Sequence, residues 1–219
     1  MTVHMRKLMV IAVAVGFFAA RIAHAQGTIY LSNLGQVSNG SAPVASDSWL
    51  AADFRTGTNT GGYLLDSVQL AMTDASGNPS GFTAMLYSAI GGVAIFPGSS
   101  LGALNGSLNP VTSSVYTYTP TSSLALSPST HFFIVLTAGT AVADGAYDWR
   151  VTDTASMGFD GWSANTSLCH SSDGSGWHFF SGTLAQFALT ATPIPEPSAS
   201  SLLLMGVGFF ICVRRVFHR

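Results

Sequence analysis

The sequence predicts an all-β protein, an antiparallel two-sheet β-sandwich of jelly-roll type, with a signal peptide before it and a hydrophobic helix after it. Three observations carry this. Residues 26–193 hold short segments alternating apolar and polar at period 2, separated by clusters of Gly, Pro, Asn and Ser. The same stretch has no lysine and no glutamate, so it lacks the long charged side chains that make good helix surfaces. Two apolar runs with flanking basic residues close the chain at either end.

At the N-terminus, Arg6-Lys7 precede the apolar run Leu8 to Ala20, and Ala23-His24-Ala25 offers small residues before a cut at Gln26. This is the three-part pattern of a secretory signal peptide over residues 1–25. Arg21, between run and cut, is atypical. The run is too short to span a bilayer as a helix.

Within 26–193, Ser48 to Arg55 reads as a strand, and Gly57 to Gly62 as a loop. Tyr63 to Thr73 alternates with Leu64, Asp66, Val68, Leu70 and Met72 on one, mostly apolar, face, and Asp74 to Gly81 is dense in turn residues. Phe82 to Ser88 then places Phe82, Ala84 and Leu86 on one face, so the pair is expected to form a hairpin with a long loop. Val115 to Thr119 alternates up to Pro120. His131 to Thr137 is a continuous apolar run suited to a doubly buried central strand. Tyr147 to Thr152 puts Tyr147, Trp149 and Val151 opposite Asp148, Arg150 and Thr152. Trp177 to Phe180 and Gly182 to Thr192 supply closing strands.

Charge separates the ends from the middle. Of the eight basic residues only Arg55 and Arg150 fall in 26–193, against nine aspartates, which leaves a charge of −7 there. Such a region offers no cationic surface to a phosphate backbone, which argues against a nucleic-acid partner. Cys169 is its only cysteine, so neither an internal disulfide nor a cysteine-based zinc site can be assembled.

Residues 194–219 have three parts in order. Pro195-Glu196-Pro197 is stiff and extended, because each proline fixes its own φ and restricts its neighbour. Glu196 is the one glutamate of the chain. The apolar run 199–213 follows, roughly 22 Å as a helix against a hydrocarbon core of about 30 Å. Arg214, Arg215 and Arg219 close the chain as a basic stop that favours the cytoplasmic side. A single-span anchor and a processed tail both fit.

This order resembles the PEP-CTERM sorting signal of exopolysaccharide-producing Gram-negative bacteria, with Ile194 where that family often has Val. The resemblance implies an exosortase-like membrane protease as partner. It further implies a precursor held in the inner membrane, then delivery to the envelope, surface or extracellular matrix. A second resemblance runs from Trp49 to Thr154. Asn59-Thr60-Gly61-Gly62-Tyr63-Leu64-Leu65-Asp66-Ser67-Val68, the Phe82–Ser88 segment, Leu126 to Thr130 and Tyr147-Asp148-Trp149-Arg150 look like a choice-of-anchor domain of the R type. That implies an exported surface domain, with no activity attached to the class.

No catalytic residue is expected. His131, His170 and His178 form no metalloprotease pair, no nucleophile elbow is present, and Gly57 to Gly62 lacks the lysine of a phosphate loop. A glycoside hydrolase needs two carboxylates across a cleft, whereas most of the aspartates stand beside Gly, Ser or Thr in turns. Loop aspartates also suit a structural calcium, although the EF-hand spacing is absent and no metal ligand set is assigned. Trp162 and Trp177, with Tyr116 and Tyr118, are candidates for stacking on sugar rings; core packing is the competing role. The expected protein is therefore a non-enzymatic, exported matrix or biofilm component, with a carbohydrate-binding module and a secreted glycoside hydrolase as alternatives.

Overall fold

The computed structural model describes residues 27–92, 94–154 and 158–196, with backbone only at 165–167 and 181. Fourteen strands fill these segments: β1 Thr28–Ser32, β2 Gly40–Val44, β3 Trp49–Arg55, β4 Tyr63–Gly77, β5 Thr83–Gly91, β6 Ile95–Asn105, β7 Ser114–Pro120, β8 Ala125–Leu126, β9 His131–Thr137, β10 Gly145–Thr152, β11 Ser163–Ser171, β12 His178–Ser181, β13 Leu184–Ala185 and β14 Phe187–Pro193. No helix occurs among the described residues, in keeping with the poverty of helix-forming surface residues. The apolar helix expected at 199–213 lies outside them, as do Ala23, Ala25, Gln26, Pro197, Arg214, Arg215 and Arg219.

All pairings are antiparallel, and the strands join in one curled sheet, a half-barrel, in the order β1-β14-β4-β7-β6-β5-β9-β3-β11-β12. β4 is the pivot. β14 runs alongside its first half, and β10 alongside its last residues. β10 in turn carries β2 and β13. Bulges recur along these ladders, each adding a residue to one strand and increasing local twist, which curls the sheet.

The bulge at Asp66 corrects one face assignment. Ser67 pairs with Thr190 and Leu65 with Ala191, so Asp66 is extra and the alternation changes phase there. Leu65 is 5 % exposed and Leu64 36 %, the reverse of a continuous period 2, while Val68, Leu70 and Met72 are buried as the pattern predicts. The expected hairpin between β4 and β5 is also overturned. β5 pairs with β6 and β9, and β4 has no ladder to β5. The chain leaves β4 at Gly77 (φ 59°), passes the buried Pro79 and turns again at Gly81 (φ 69°) to reach the other arm of the sheet. That link is too long for a tight hairpin turn and is used as a crossover.

The concave face holds the main core, from Leu31, Leu50, Phe54, Tyr63, Val68, Leu70, Leu86, Ile134, Tyr147, Trp149 and Leu189. Successive strand residues face opposite sides, so Ala51, Phe133, Val135 and Cys169 form a second cluster on the outer face. β9 therefore contributes to both, which is why its sequence is continuously apolar. β1 and β14 pair from Thr28 with Ala191, so the two ends of the described chain emerge beside each other.

Candidate functional site

A cleft of about 370 Å³ opens where β2, the outermost strand on β10, faces β11 and β12. Its floor is Leu50, Val151 and Leu168, and its rim includes Asn39, Ser41, Ser48 and Thr183. The β11–β12 register explains the aromatic wall. Leu168 is opposite Phe180 and His170 opposite His178, so these four share the face that meets β2. The Phe180 ring lies 4.2 Å from that of His170, and Phe180 remains 46 % exposed. His170 Nδ1 has no hydrogen-bond partner among the described residues. The lining includes no Asp, Glu, Lys or Arg. An apolar floor, one exposed ring and a rim of hydroxyls and an amide suit a neutral, hydroxyl-rich ligand.

Cys169 and His170 are neighbours in sequence but face opposite sides of β11. Cys169 is fully buried in the outer cluster. Burial first, then the charge of Asp53, pushes its thiol up to about 12, so it carries no nucleophilic thiolate at neutral pH. His131, at the start of β9, places Nδ1 3.0 and 3.1 Å from the carboxylate oxygens of the buried Asp53. This pair staples β9 to β3.

Both tryptophan candidates are in packing roles. Trp162 is 2 % exposed, stacked on Tyr30 at 5.0 Å and on Phe54 at 6.0 Å, so no ring face is left for a sugar. The turn Phe159-Asp160-Gly161-Trp162, with positive φ at Asp160 and Gly161, sends it inward. Trp177 is half-buried against the outer cluster, beyond the cleft lining. Tyr118 is buried, donating its hydroxyl to the Ser107 carbonyl at 2.9 Å. The residues that wall the cleft, Phe180 and His170, carry no signal in the linear sequence, because their face depends on the β11–β12 register.

The aspartates are dispersed: Asp53, Asp66, Asp74 and Asp148 stand on strands, so the turn expected from Asp74 begins only after Gly77, and Asp47, Asp144, Asp153, Asp160 and Asp173 stand in turns or bends. Asp47 accepts from the Val142 amide at 2.9 Å and Asp74 from the Ser113 amide at 2.8 Å. Asp173 accepts from the Ser175 amide and hydroxyl, both at 2.8 Å, and these bonds lower its pKa. Among the described residues no three His, Cys, Asp or Glu side chains converge on a metal position.

At the end of β14 the chain is held by the turn at Asn59–Gly62. The Ile194 amide donates to the Gly62 carbonyl at 3.0 Å, and the Asn59 side-chain amide donates to the Ile194 carbonyl at 3.2 Å. The Thr60 hydroxyl donates to the Glu196 carboxylate. Pro195 and Glu196 are exposed. No protein-family model matches the chain, and no curated protein matches it.

Proposed function

We propose that this is an exported, non-enzymatic protein of the cell envelope or extracellular matrix, sorted through its C-terminal segment by an exosortase-like membrane protease and associated with exopolysaccharide or biofilm. The precursor is held in the inner membrane by residues 199–213, with Arg214, Arg215 and Arg219 on the cytoplasmic side. The observation that carries the reading is the emergence of Pro195 and Glu196 on the surface immediately after the buried strand β14. A protease reads an accessible, extended segment, and the prolines keep this one extended. In fold terms, the two arms of the curled sheet act as the layers of a jelly-roll-like sandwich around one core. The test is intact-mass measurement of the mature protein from its host. Loss of residues 1–25 and of the tail beyond the motif supports the reading, as does a tail retained in Glu196→Ala; the full tail in both proteins overturns it.

A second reading, carbohydrate binding at the cell surface, draws support from the uncharged cleft beside Phe180 and His170. The lack of a lining carboxylate favours binding there over glycoside hydrolysis. Glycan-array binding of the intact protein, weakened by Phe180→Ala, supports it; binding indifferent to Phe180 removes the cleft from consideration.

A further inference from the structure

We infer that the Asn59–Gly62 turn is a seat for this chain's own segment Ile194–Glu196, and that it gates access to the sorting motif where that motif begins, at Pro195 and Glu196. The gating rests on the sorting reading; the seat does not.

Four features converge on the segment from one turn. Gly62 accepts the Ile194 amide hydrogen bond, and Asn59 bridges the Gly62 and Ile194 carbonyls through its side-chain amide. Thr60 donates to Glu196. Gly61 makes room for the segment: a Cβ there would stand 2.3 Å from the Ile194 backbone oxygen, a contact that no rotamer change relieves. The turn is itself braced, with the Gly62 amide donating to Asn59 O at 2.8 Å and the Asn59 amide to the Tyr63 hydroxyl at 3.2 Å. Tyr63 is fully buried, so the seat is anchored to the core.

A protease that binds an extended chain must take over the backbone groups of its substrate. Here the Ile194 amide and carbonyl, directly before the motif, are already engaged, and the Glu196 carboxylate has a partner. Cleavage then proceeds from the locally opened state, at a rate scaled by how often the segment leaves its seat. Asn59 and Thr60 are thus positioning residues that set the rate of tail removal: the folded domain shows Pro195 and Glu196 at its surface but keeps the Ile194 backbone engaged until the segment is released.

The experiment compares full-length wild type with Asn59→Ala, Thr60→Val and Gly61→Ala. Hydrogen exchange by mass spectrometry on the detergent-solubilised precursor reads the seat. The Ile194 amide is expected to be protected in wild type and to exchange about tenfold faster in Asn59→Ala and Gly61→Ala, with β9 amides unchanged. Exchange of Ile194 at the free-peptide rate in wild type overturns the seat. Pulse-chase of tail loss in the host reads the gate: processing about tenfold faster in the variants supports it, and equal rates overturn it. A tail retained in every protein, with Ile194 still protected, overturns the sorting reading and the gate with it, while the seat stands.

Discussion

Asn33 and Phe187 are bonded twice. The Asn33 backbone amide donates to the Phe187 carbonyl at 3.1 Å, and the Phe187 amide donates back to the Asn33 side-chain oxygen at 2.7 Å. The side-chain nitrogen of Asn33 reaches the Ala185 carbonyl at 2.8 Å. Asn33, 2 % exposed, therefore bridges the break between β13 and β14, where Gln186 steps out of the ladder. A polar residue in the core is tolerated here because both ends of its amide are satisfied.

Asn33→Leu removes both side-chain bonds and leaves a buried carbonyl and a buried amide without partners. The expected cost is about 2–4 kcal/mol, from ~1–3 kcal/mol per unsatisfied group. Urea unfolding of wild type and variant measures it, and a loss under about 1 kcal/mol would contradict the assignment.

Trp162→Ala opens a cavity between Tyr30 and Phe54, at an expected cost of about 3–5 kcal/mol. Trp177→Ala, at a half-buried position on the outer cluster, is expected to cost less than half as much. Denaturation midpoints of the two variants should rank in that order, with Trp162→Ala the less stable.

Cys169 makes stability depend on pH on the alkaline side. Its thiol is raised from 9.0 to about 12 in the folded protein, so folding favours the protonated form. The contribution is complete below pH 9 and lost as pH rises from there through 12. Between these values wild type should lose stability more steeply than Cys169→Ala, a comparison that subtracts the ionisation of the tyrosines. At pH 8 the native thiol should resist a disulfide reagent and react promptly in urea.

Phe180→Ala is expected to lower affinity for any neutral glycan bound in the cleft about tenfold, since one exposed ring supplies its stacking surface. Unfolding midpoints should move little, because nearly half of the ring is already in water. Isothermal titration of both proteins with a glycan found on the array separates lost stacking from lost folding.

Much of the fold is legible in the residues. The strand at His131–Thr137, the alternation at Tyr147–Thr152 and the inward face of Phe82, Ala84 and Leu86 follow from side-chain period and appear as expected. β2 and β6 are not legible, because their segments are rich in Gly, Ser and Pro, and β11 is not, because its Ser, Asn and Thr break the alternation; all three gain strand character only from neighbours. The bulge at Asp66 and the crossover after Gly77 escape a linear reading for a related reason. Each is fixed by the strand that pairs alongside, not by the segment itself.

Composition and short-range pattern are enough for the all-β antiparallel class, the acidic, lysine-free middle and the order of motif, apolar run and arginines at the C-terminus. Those properties are sums or short-range patterns, and they survive whatever the chain does in space. That Trp162 is core, that Phe180 and His170 share a cleft with β2, and that Asn59 meets Ile194 from 135 residues away emerge once the chain is folded. These are long-range contacts set by register and by the closing of the curl, and period and composition carry no information about which distant strand a residue will face.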